Sequence, residues 1–329
     1  MSIPVPGTAF ISRRRVMLAS AIAVFSAAVS AQEARRVYRL GFVVQPPKSN
    51  FAAMFDELQK HGFIEGQNLS VDPCGFSLPA DRLDDAAAEV AKAGPDVIYA
   101  GGTAAGRAVQ RATRTIPLVV TGNDLVRAHL VSSLAHPGGN VTGVSILGPE
   151  LDSKRLELLT ESVPGVSRIA ALVDSETTPP DQIEALINTA RALGVTLSTQ
   201  RAAVAEDIAP AIEAARAAGA QAFDVPASAL FHTNSAMIIA RMAEAKLPAV
   251  YQWPEYGQDG ALICYGPPIT AFYRQAARLI AKIFRGSKPA DLPVEQPTHI
   301  KLVVNLKTAK ELGLNIPQSI LARADEVIE

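Results

Sequence analysis

Two kinds of hydrophobic pattern alternate along the chain beyond residue 35. Short apolar runs, such as residues 97–100 and 168–174, have the composition of parallel strands that are covered on both faces. Between them, stretches such as residues 51–61 place apolar side chains at helical spacing and end at a glycine. This alternation predicts an α/β fold built on parallel sheets.

The pattern of the first half returns in the second half. Leu40 corresponds to Ile169 and Pro117 to Pro248, an offset of about 130 residues in both cases. Two βαβ units therefore follow one another, which favours two lobes with separate sheets over one large doubly wound sheet. The predicted strands are 39–44, 69–71, 97–100, 116–121, 168–174, 195–198, 246–251 and 300–305. Residues 137–144 are predicted to form a turn and a short strand, and residues 222–228 a strand and a turn. The predicted helices are 51–61, 81–92, 103–113, 124–134, 182–193, 208–218, 269–284 and 306–312.

The turn after the third strand carries the first candidate chemistry. Gly101 and Gly102 permit a close approach of the backbone to a ligand, and Thr103 is expected to cap the following helix. Free N–H groups and the helix dipole then favour a carboxylate or phosphate. The turn matches neither the nucleotide P-loop nor GxGxxG, so an ordinary βα connection remains the alternative.

Other candidate ligand-binding residues follow the remaining strands, because ligands of parallel sheets lie beyond the carboxyl ends of the strands. They combine acceptors for an ammonium group, donors for a carboxylate and aromatic rings for stacking. Trp253, the only tryptophan, is read equally well as a core residue. The candidates are Gln45, Thr103, Asn123, Asp124, Asp174, Ser228, Tyr251 and Trp253.

The sequence contains no recognisable catalytic or metal-binding motif. It has no GxSxG, no HExxH and no histidines at ligand spacing, so neither a metal nor a cofactor is expected. Cys74 and Cys264 lie in different halves and are expected to be unpaired thiols. A binding protein is therefore favoured over an enzyme, although an enzyme that uses Asp124 or Asp174 remains an alternative.

The N-terminus has the features of an export signal. Arg13, Arg14 and Arg15 precede an apolar run that ends at a small-residue cleavage site, so residues 1–31 are predicted to be a signal peptide cleaved near Ala31. Both a twin-arginine signal and a general secretory signal fit. The net charge is −1 with no basic block elsewhere, so nothing indicates nucleic acid as a partner. The expected location is the periplasm.

Several segments resemble the ABC-transporter substrate-binding protein family of the type I periplasmic binding protein fold, including its aromatic-amino-acid-binding branch. The resemblance runs from about residue 37 to the end of the chain, and the segments taken together are specific for this family. They are residues 62–68, 101–103, 136–144, 154–159, 265–267, 271–276, 292–297 and 305–310.

This resemblance implies two Rossmann-like lobes, joined by a multi-strand hinge, that close on a small solute. The expected lobes are residues 35–147 with 268–298, and residues 148–267 with 299–329. An amino acid or an aromatic or carboxylic acid is the expected ligand, and an ABC permease in the inner membrane is the expected partner of a monomer. A periplasmic sensor module that delivers its ligand to a receptor remains the other alternative.

Overall fold

The computed structural model describes residues 36–146 and 148–329, and the predicted signal peptide lies outside the described residues. Two mostly parallel sheets form the frame. The first has the order β2-β1-β3-β4-β5, and the second has the order β12-β11-β10-β9-β8-β6-β7. The strands are β1 (Tyr38–Val43), β2 (Leu69–Val71), β3 (Val97–Gly101), β4 (Leu118–Gly122), β5 (Val141–Ser145), β6 (Arg168–Asp174), β7 (Thr196–Ala202), β8 (Ala222–Val225), β9 (Ala249–Tyr251), β10 (Ile263–Gly266), β11 (Lys301–Asn305) and β12 (Glu326–Ile328).

The predicted internal repeat is present in the topology. Strands β6 to β10 have the order β7-β6-β8-β9-β10, which reproduces the order of β1 to β5 in the first sheet. All of these pairings are parallel, and only β11 joins β10 in the antiparallel direction. The carboxyl ends of the parallel strands therefore form one edge in each sheet.

Amphipathic helices cover the faces of both sheets, because each buries an apolar stripe against the strands. They are α1 (Ala52–Lys60), α2 (Leu83–Ala93), α3 (Thr103–Ala112), α4 (Gly148–Ser162), α5 (Pro180–Ala192), α6 (Ala205–Ala217), α7 (Ala229–Thr233), α8 (Ser235–Glu244), α9 (Ile269–Phe284), α10 (Leu306–Glu311) and α11 (Gln318–Leu321). None of the helices in the described part of the chain is long and apolar enough to cross a membrane.

The predicted helix over residues 124–134 is wrong, because this segment consists of turns and bends. The Asp124 carboxylate accepts hydrogen bonds from the N–H groups of Val126 and Arg127, and His129 has a φ of +57°. A side chain that bonds the next backbone groups competes with helix formation. Helices α4, α7, α8 and α11 and strands β10 and β12 are not among the predicted elements.

The chain crosses between the lobes at three places, which confirms the multi-strand hinge. It passes from β5 into α4, from β10 into α9, and from the segment around Glu295 into β11. The N–H of Ser145 donates to the Glu295 carbonyl at 2.9 Å, so the first and third crossings lie side by side. Helix α9 packs on the first lobe, where the Tyr273 ring lies 4.9 Å from Phe51, while β11 and β12 extend the second sheet.

Candidate ligand-binding site

A cavity of about 290 Å³ lies between the lobes, at the carboxyl ends of the parallel strands of both sheets. Its volume is near the lower end of the roughly 300–1,000 Å³ that small-molecule sites occupy, so it suits one compact solute. Residues at the carboxyl end of six of the strands, or within three positions beyond it, contribute to its wall. These are Gln45, Thr103, Asn123, Asp174, Ser228 and Trp253.

The first turn of α3 forms one side of the cavity. Gly102, not Thr103, is the N-cap; it has a φ of +98° and makes no side-chain cap, whereas Thr103 is the first helical residue. The prediction that Thr103 caps the helix is therefore wrong. The N–H of Gly102 donates to the Thr121 carbonyl at 2.8 Å. The N–H groups of the following turn have no partner within the helix, so the positive end of its dipole borders the cavity.

A carboxylate forms the opposite side of the cavity. Asp174 is only 4% exposed. Its Oδ2 accepts a hydrogen bond from the Ser228 hydroxyl at 2.5 Å, and its Oδ1 accepts one from the Glu176 N–H at 3.0 Å. Ser228 is held in place because its Oγ also accepts from the N–H of Leu230 at 3.0 Å, as the N-cap of α7. Among the described residues, no basic side chain pairs with Asp174.

Three contacts across the cleft show that the lobes are closed. The Asn123 side-chain amide donates to the Ala227 carbonyl at 2.8 Å. A Cβ atom on Gly102 would lie 3.0 Å from the Cβ of Ala229, so the two backbones approach closely there. Outside the cavity, the Arg127 guanidinium of the first lobe lies 3.2 Å from the Asp181 carboxylate of the second.

Aromatic side chains cluster in one part of the cavity wall, which we call the apolar end. Phe51, Trp253 and Phe272 line it, and the rings of the last two are 5.7 Å apart. Tyr99 is fully buried, and its hydroxyl pairs with the Thr121 hydroxyl at 2.7 Å. Burial raises the pKa of Tyr99 well above its ordinary value, so its hydroxyl stays protonated. An aromatic or other apolar group of a ligand fits this end.

His232 also lines the cavity, although no histidine is among the candidate residues predicted from the sequence. Its Nδ1 and the Tyr256 hydroxyl are 2.5 Å apart, and its ring stacks on the Tyr256 ring. Burial lowers the pKa of His232 to about 4, because it penalises the charged imidazolium. The ring is therefore neutral at physiological pH.

Two predicted site residues lie outside the cavity wall. Asp124 faces a shallow depression on the outer surface and uses its carboxylate within its own turn. Tyr251 is buried behind Trp253 and lines a small adjoining pocket. The wall also includes aromatic and basic residues that the sequence pattern does not single out: Phe51, Tyr99, Arg107, Arg111, His232, Phe272 and Tyr273. No signal in the sequence separates these aromatic residues from ordinary core residues.

The described part of the chain contains no group of histidine, cysteine, aspartate and glutamate residues that could hold a metal ion. Cys74 is exposed and Cys264 is buried, and both are free thiols. The cavity therefore offers hydrogen-bonding groups, the buried carboxylate of Asp174 and aromatic surface. Such a wall can bind and orient a small solute.

Several known proteins are similar to this chain in sequence or in overall structure. The tyrosine-binding protein of Clostridioides difficile (strain R20291) is 26% identical over 260 residues, or 78% of this chain and 74% of that protein. A conserved domain protein from Vibrio cholerae is 27% identical with a TM-score of 0.79, over 89% of this chain and 99% of that one. An ABC domain from Streptococcus pneumonia, in complex with L-Trp, is 24% identical with a TM-score of 0.78, over 89% of this chain and 100% of that one.

These likenesses confirm the two-lobed type I periplasmic binding-protein fold. The sequence profile of the ABC transporter substrate binding protein family matches residues 50–328, which is most of the chain. The chain therefore belongs to the ABC transporter substrate-binding protein family.

Proposed function

We propose that this protein binds an amino acid with an aromatic side chain in the cavity between its lobes. The observation that carries the proposal is Asp174, a buried carboxylate on the cavity wall that no basic side chain of the described residues neutralises. A buried charge without an opposite charge beside it is costly, so the site favours a ligand that brings a positive charge. The ammonium group of an amino acid supplies that charge.

The carboxylate of the ligand is placed at the first turn of α3. The N–H groups of Thr103 and Ala104 belong to this turn, and both residues line the cavity. A helix N-terminus attracts an anion through these N–H groups and through its dipole. Asp174 lies on the other lobe, so one zwitterionic ligand engages both lobes and stabilises their closure.

The side chain of the ligand is placed against Trp253, Phe272 and Phe51 at the apolar end of the cavity. Aromatic rings favour offset or edge-to-face contact with such walls. Two relatives agree with this ligand class, because one carries the name tyrosine-binding protein and another is a complex with L-Trp.

Calorimetric titration of the wild type with L-tyrosine, with tyramine and with the desamino acid of tyrosine tests the proposal. We expect each truncated analogue to bind at least about tenfold more weakly, because each loses one charge-assisted hydrogen bond. In Asp174→Asn, L-tyrosine is expected to lose about tenfold in affinity, a loss of ~1.4 kcal/mol. The desamino acid should bind this variant as it binds the wild type.

Asp259→Asn is the matched control, because Asp259 is exposed and outside the cavity wall. Thermal unfolding of both variants shows that they fold. The proposal is wrong if the desamino acid binds the wild type as tightly as L-tyrosine does. It is equally wrong if Asp174→Asn and Asp259→Asn bind L-tyrosine alike.

The proposal places the protein in the periplasm as a monomer that delivers its ligand to an ABC permease rather than to a sensory receptor, and it assigns the protein no catalytic activity. Support for export comes from the arginine-rich N-terminus and the small-residue site at Ala31. Sequencing the N-terminus of the protein from a periplasmic extract tests this placement. An uncut protein in the cytoplasm would contradict it.

A further inference from the structure

Tyr99, Tyr273 and Trp253 line the apolar end of the cavity and Tyr256 lies in the small adjoining pocket; these side chains differ in how their polar atom is used. The Tyr99 hydroxyl pairs with Thr121 at 2.7 Å, and the Tyr256 hydroxyl pairs with His232 at 2.5 Å. For Tyr273 and Trp253, no hydrogen bond to any residue within 36–146 or 148–329 is present. The hydroxyls of Tyr99 and Tyr256 are therefore used within the protein, whereas the polar atoms of Tyr273 and Trp253 are available to a ligand.

Both of the available groups belong to deeply buried side chains of the cavity wall. Tyr273 is 5% exposed and Trp253 is 7% exposed, and each lines the cavity. Their rings are fixed by packing, since Tyr273 lies 4.9 Å from Phe51 and Trp253 lies 5.7 Å from Phe272. A tyrosine hydroxyl and an indole N–H usually have a hydrogen-bond partner when they are buried.

When the lobes close around a ligand, these two polar groups determine which ligand ring the cavity binds more tightly. When a ligand ring displaces water from this end, a polar atom that finds no new partner stays unsatisfied, and this costs free energy. A ring without a polar substituent leaves both groups unpaired. A ring with a suitable substituent pairs them, so the wall discriminates between the two ligands.

The chemistry of the two groups identifies the substituent. The indole N–H of Trp253 can only donate, whereas the hydroxyl of Tyr273 can donate and accept. Burial raises the pKa of Tyr273, which keeps its proton in place. A ligand group that serves both must therefore accept a hydrogen bond, and a hydroxyl does so while also offering its own proton.

We propose that Tyr273, supported by Trp253, is a specificity-determining residue that recognises a hydroxyl group on the aromatic ring of the ligand. The ligand class is thereby narrowed to amino acids with a phenolic side chain, in preference to those with an unsubstituted ring. This inference rests on the proposed function, because it takes the ligand to be an aromatic amino acid whose ring lies at this end.

Titration of the wild type, Tyr273→Phe and Trp253→Phe with L-tyrosine and L-phenylalanine tests the inference. We expect the wild type to prefer L-tyrosine by about 10- to 100-fold, the range that one or two unsatisfied buried groups produce. In Tyr273→Phe, the affinity for L-tyrosine should fall about tenfold while that for L-phenylalanine stays within about twofold. Trp253→Phe should likewise lower the preference for L-tyrosine over L-phenylalanine.

Tyr256→Phe is the matched control, because its hydroxyl already pairs with His232 and it does not line the main cavity. It should keep the preference of the wild type. The inference is overturned if the wild type binds both amino acids equally, or if Tyr273→Phe weakens both to the same extent. If the folded wild type binds neither amino acid, the proposed function itself has failed, and the inference fails with it.

Discussion

At the scale of single residues, Gly102 has the strictest requirement in the cavity wall. Its φ of +98° and ψ of 156° belong to a region that residues with a side chain avoid, and a Cβ atom would meet the Cβ of Ala229 at 3.0 Å. The first constraint applies to any conformation of the protein. The second applies only when the lobes are closed, because Gly102 and Ala229 belong to different lobes.

Gly102→Ala is therefore expected to weaken ligand binding by at least about tenfold and to lower the free energy of unfolding by about 1–3 kcal/mol. Calorimetric titration with L-tyrosine and thermal unfolding measure the two effects. Gly139→Ala is the control, because Gly139 has a φ of +63° and nothing within 4 Å of its Cβ position. A loss of affinity of the same size in both variants would rule out a clash on closure.

At the scale of elements, α4 and β8 bury a cluster of charges in the second lobe. Arg155 of α4 is fully buried and forms an ion pair with Asp152, one turn earlier in the helix. Asp152 also accepts a hydrogen bond from the side chain of Gln182 at 2.5 Å. Asp224 of β8 is fully buried, and neither of its oxygens has a partner among the described residues. Burial raises the pKa of Asp224 to about 7, although Arg155 opposes this.

Asp224 makes stability depend on pH in a defined direction. Its pKa in the folded protein is above the ordinary value of 3.8, so the folded state holds the proton more tightly than the unfolded state does. The stability that this proton provides is complete below pH 3.8 and is lost as the pH rises to about 7. Asp152 and Arg155 are the charged groups that face Asp224.

Asp224→Asn should therefore be more stable than the wild type at pH 8, by up to about 4 kcal/mol. The difference should shrink toward pH 4, where both side chains are neutral. Thermal unfolding across this range measures it, with Asp259→Asn as the exposed control. A difference between Asp224→Asn and the wild type that is the same at every pH would contradict the assignment.

At the scale of the whole molecule, the structure is a closed state held partly by polar contacts across the cleft. Asp124, which the sequence places in the ligand site, instead bonds the N–H of Arg127 at 3.0 Å. Arg127 then reaches the other lobe, where its guanidinium lies 3.2 Å from Asp181. Both side chains of this pair are partly exposed, at 40% and 61%, so salt should screen it.

Asp181→Asn is expected to favour the open state and to reduce ligand affinity by at most about fivefold, since exposed pairs contribute only about 0.2–1 kcal/mol. The reduction should vanish at high salt. Small-angle scattering should show a smaller radius of gyration when L-tyrosine is added to the wild type, because hinge closure brings the lobes together.

Glu213→Gln is the control for this prediction, because Glu213 pairs with Arg216 inside helix α6 at 3.0 Å and does not bridge the lobes. It should leave both affinity and salt dependence unchanged. A radius of gyration that stays constant at saturating ligand would contradict closure on binding.

The sequence by itself determined the α/β class, the internal repeat and most of the strands. Buried parallel strands are continuous apolar runs, and glycines such as Gly62 and Gly94 end the helices that precede the next strand, so these signals are local. Prediction from the apolar pattern failed for α4, because Asp152 and Arg155 interrupt the apolar face of that helix and are buried with it. It also failed at residues 124–134, where one carboxylate diverts the backbone into turns.

Only the tertiary structure decided which side chains share the cavity. Asn123 and Asp124 are neighbours after the same strand, yet the first bridges the lobes while the second lies on the outer surface. Tyr273 and Phe272 reach the wall because the chain returns to the first lobe through α9, far along the sequence from the strands it covers. A residue's place in a periodic pattern fixes whether it is buried, but whether it borders the cavity depends on how two distant lobes meet.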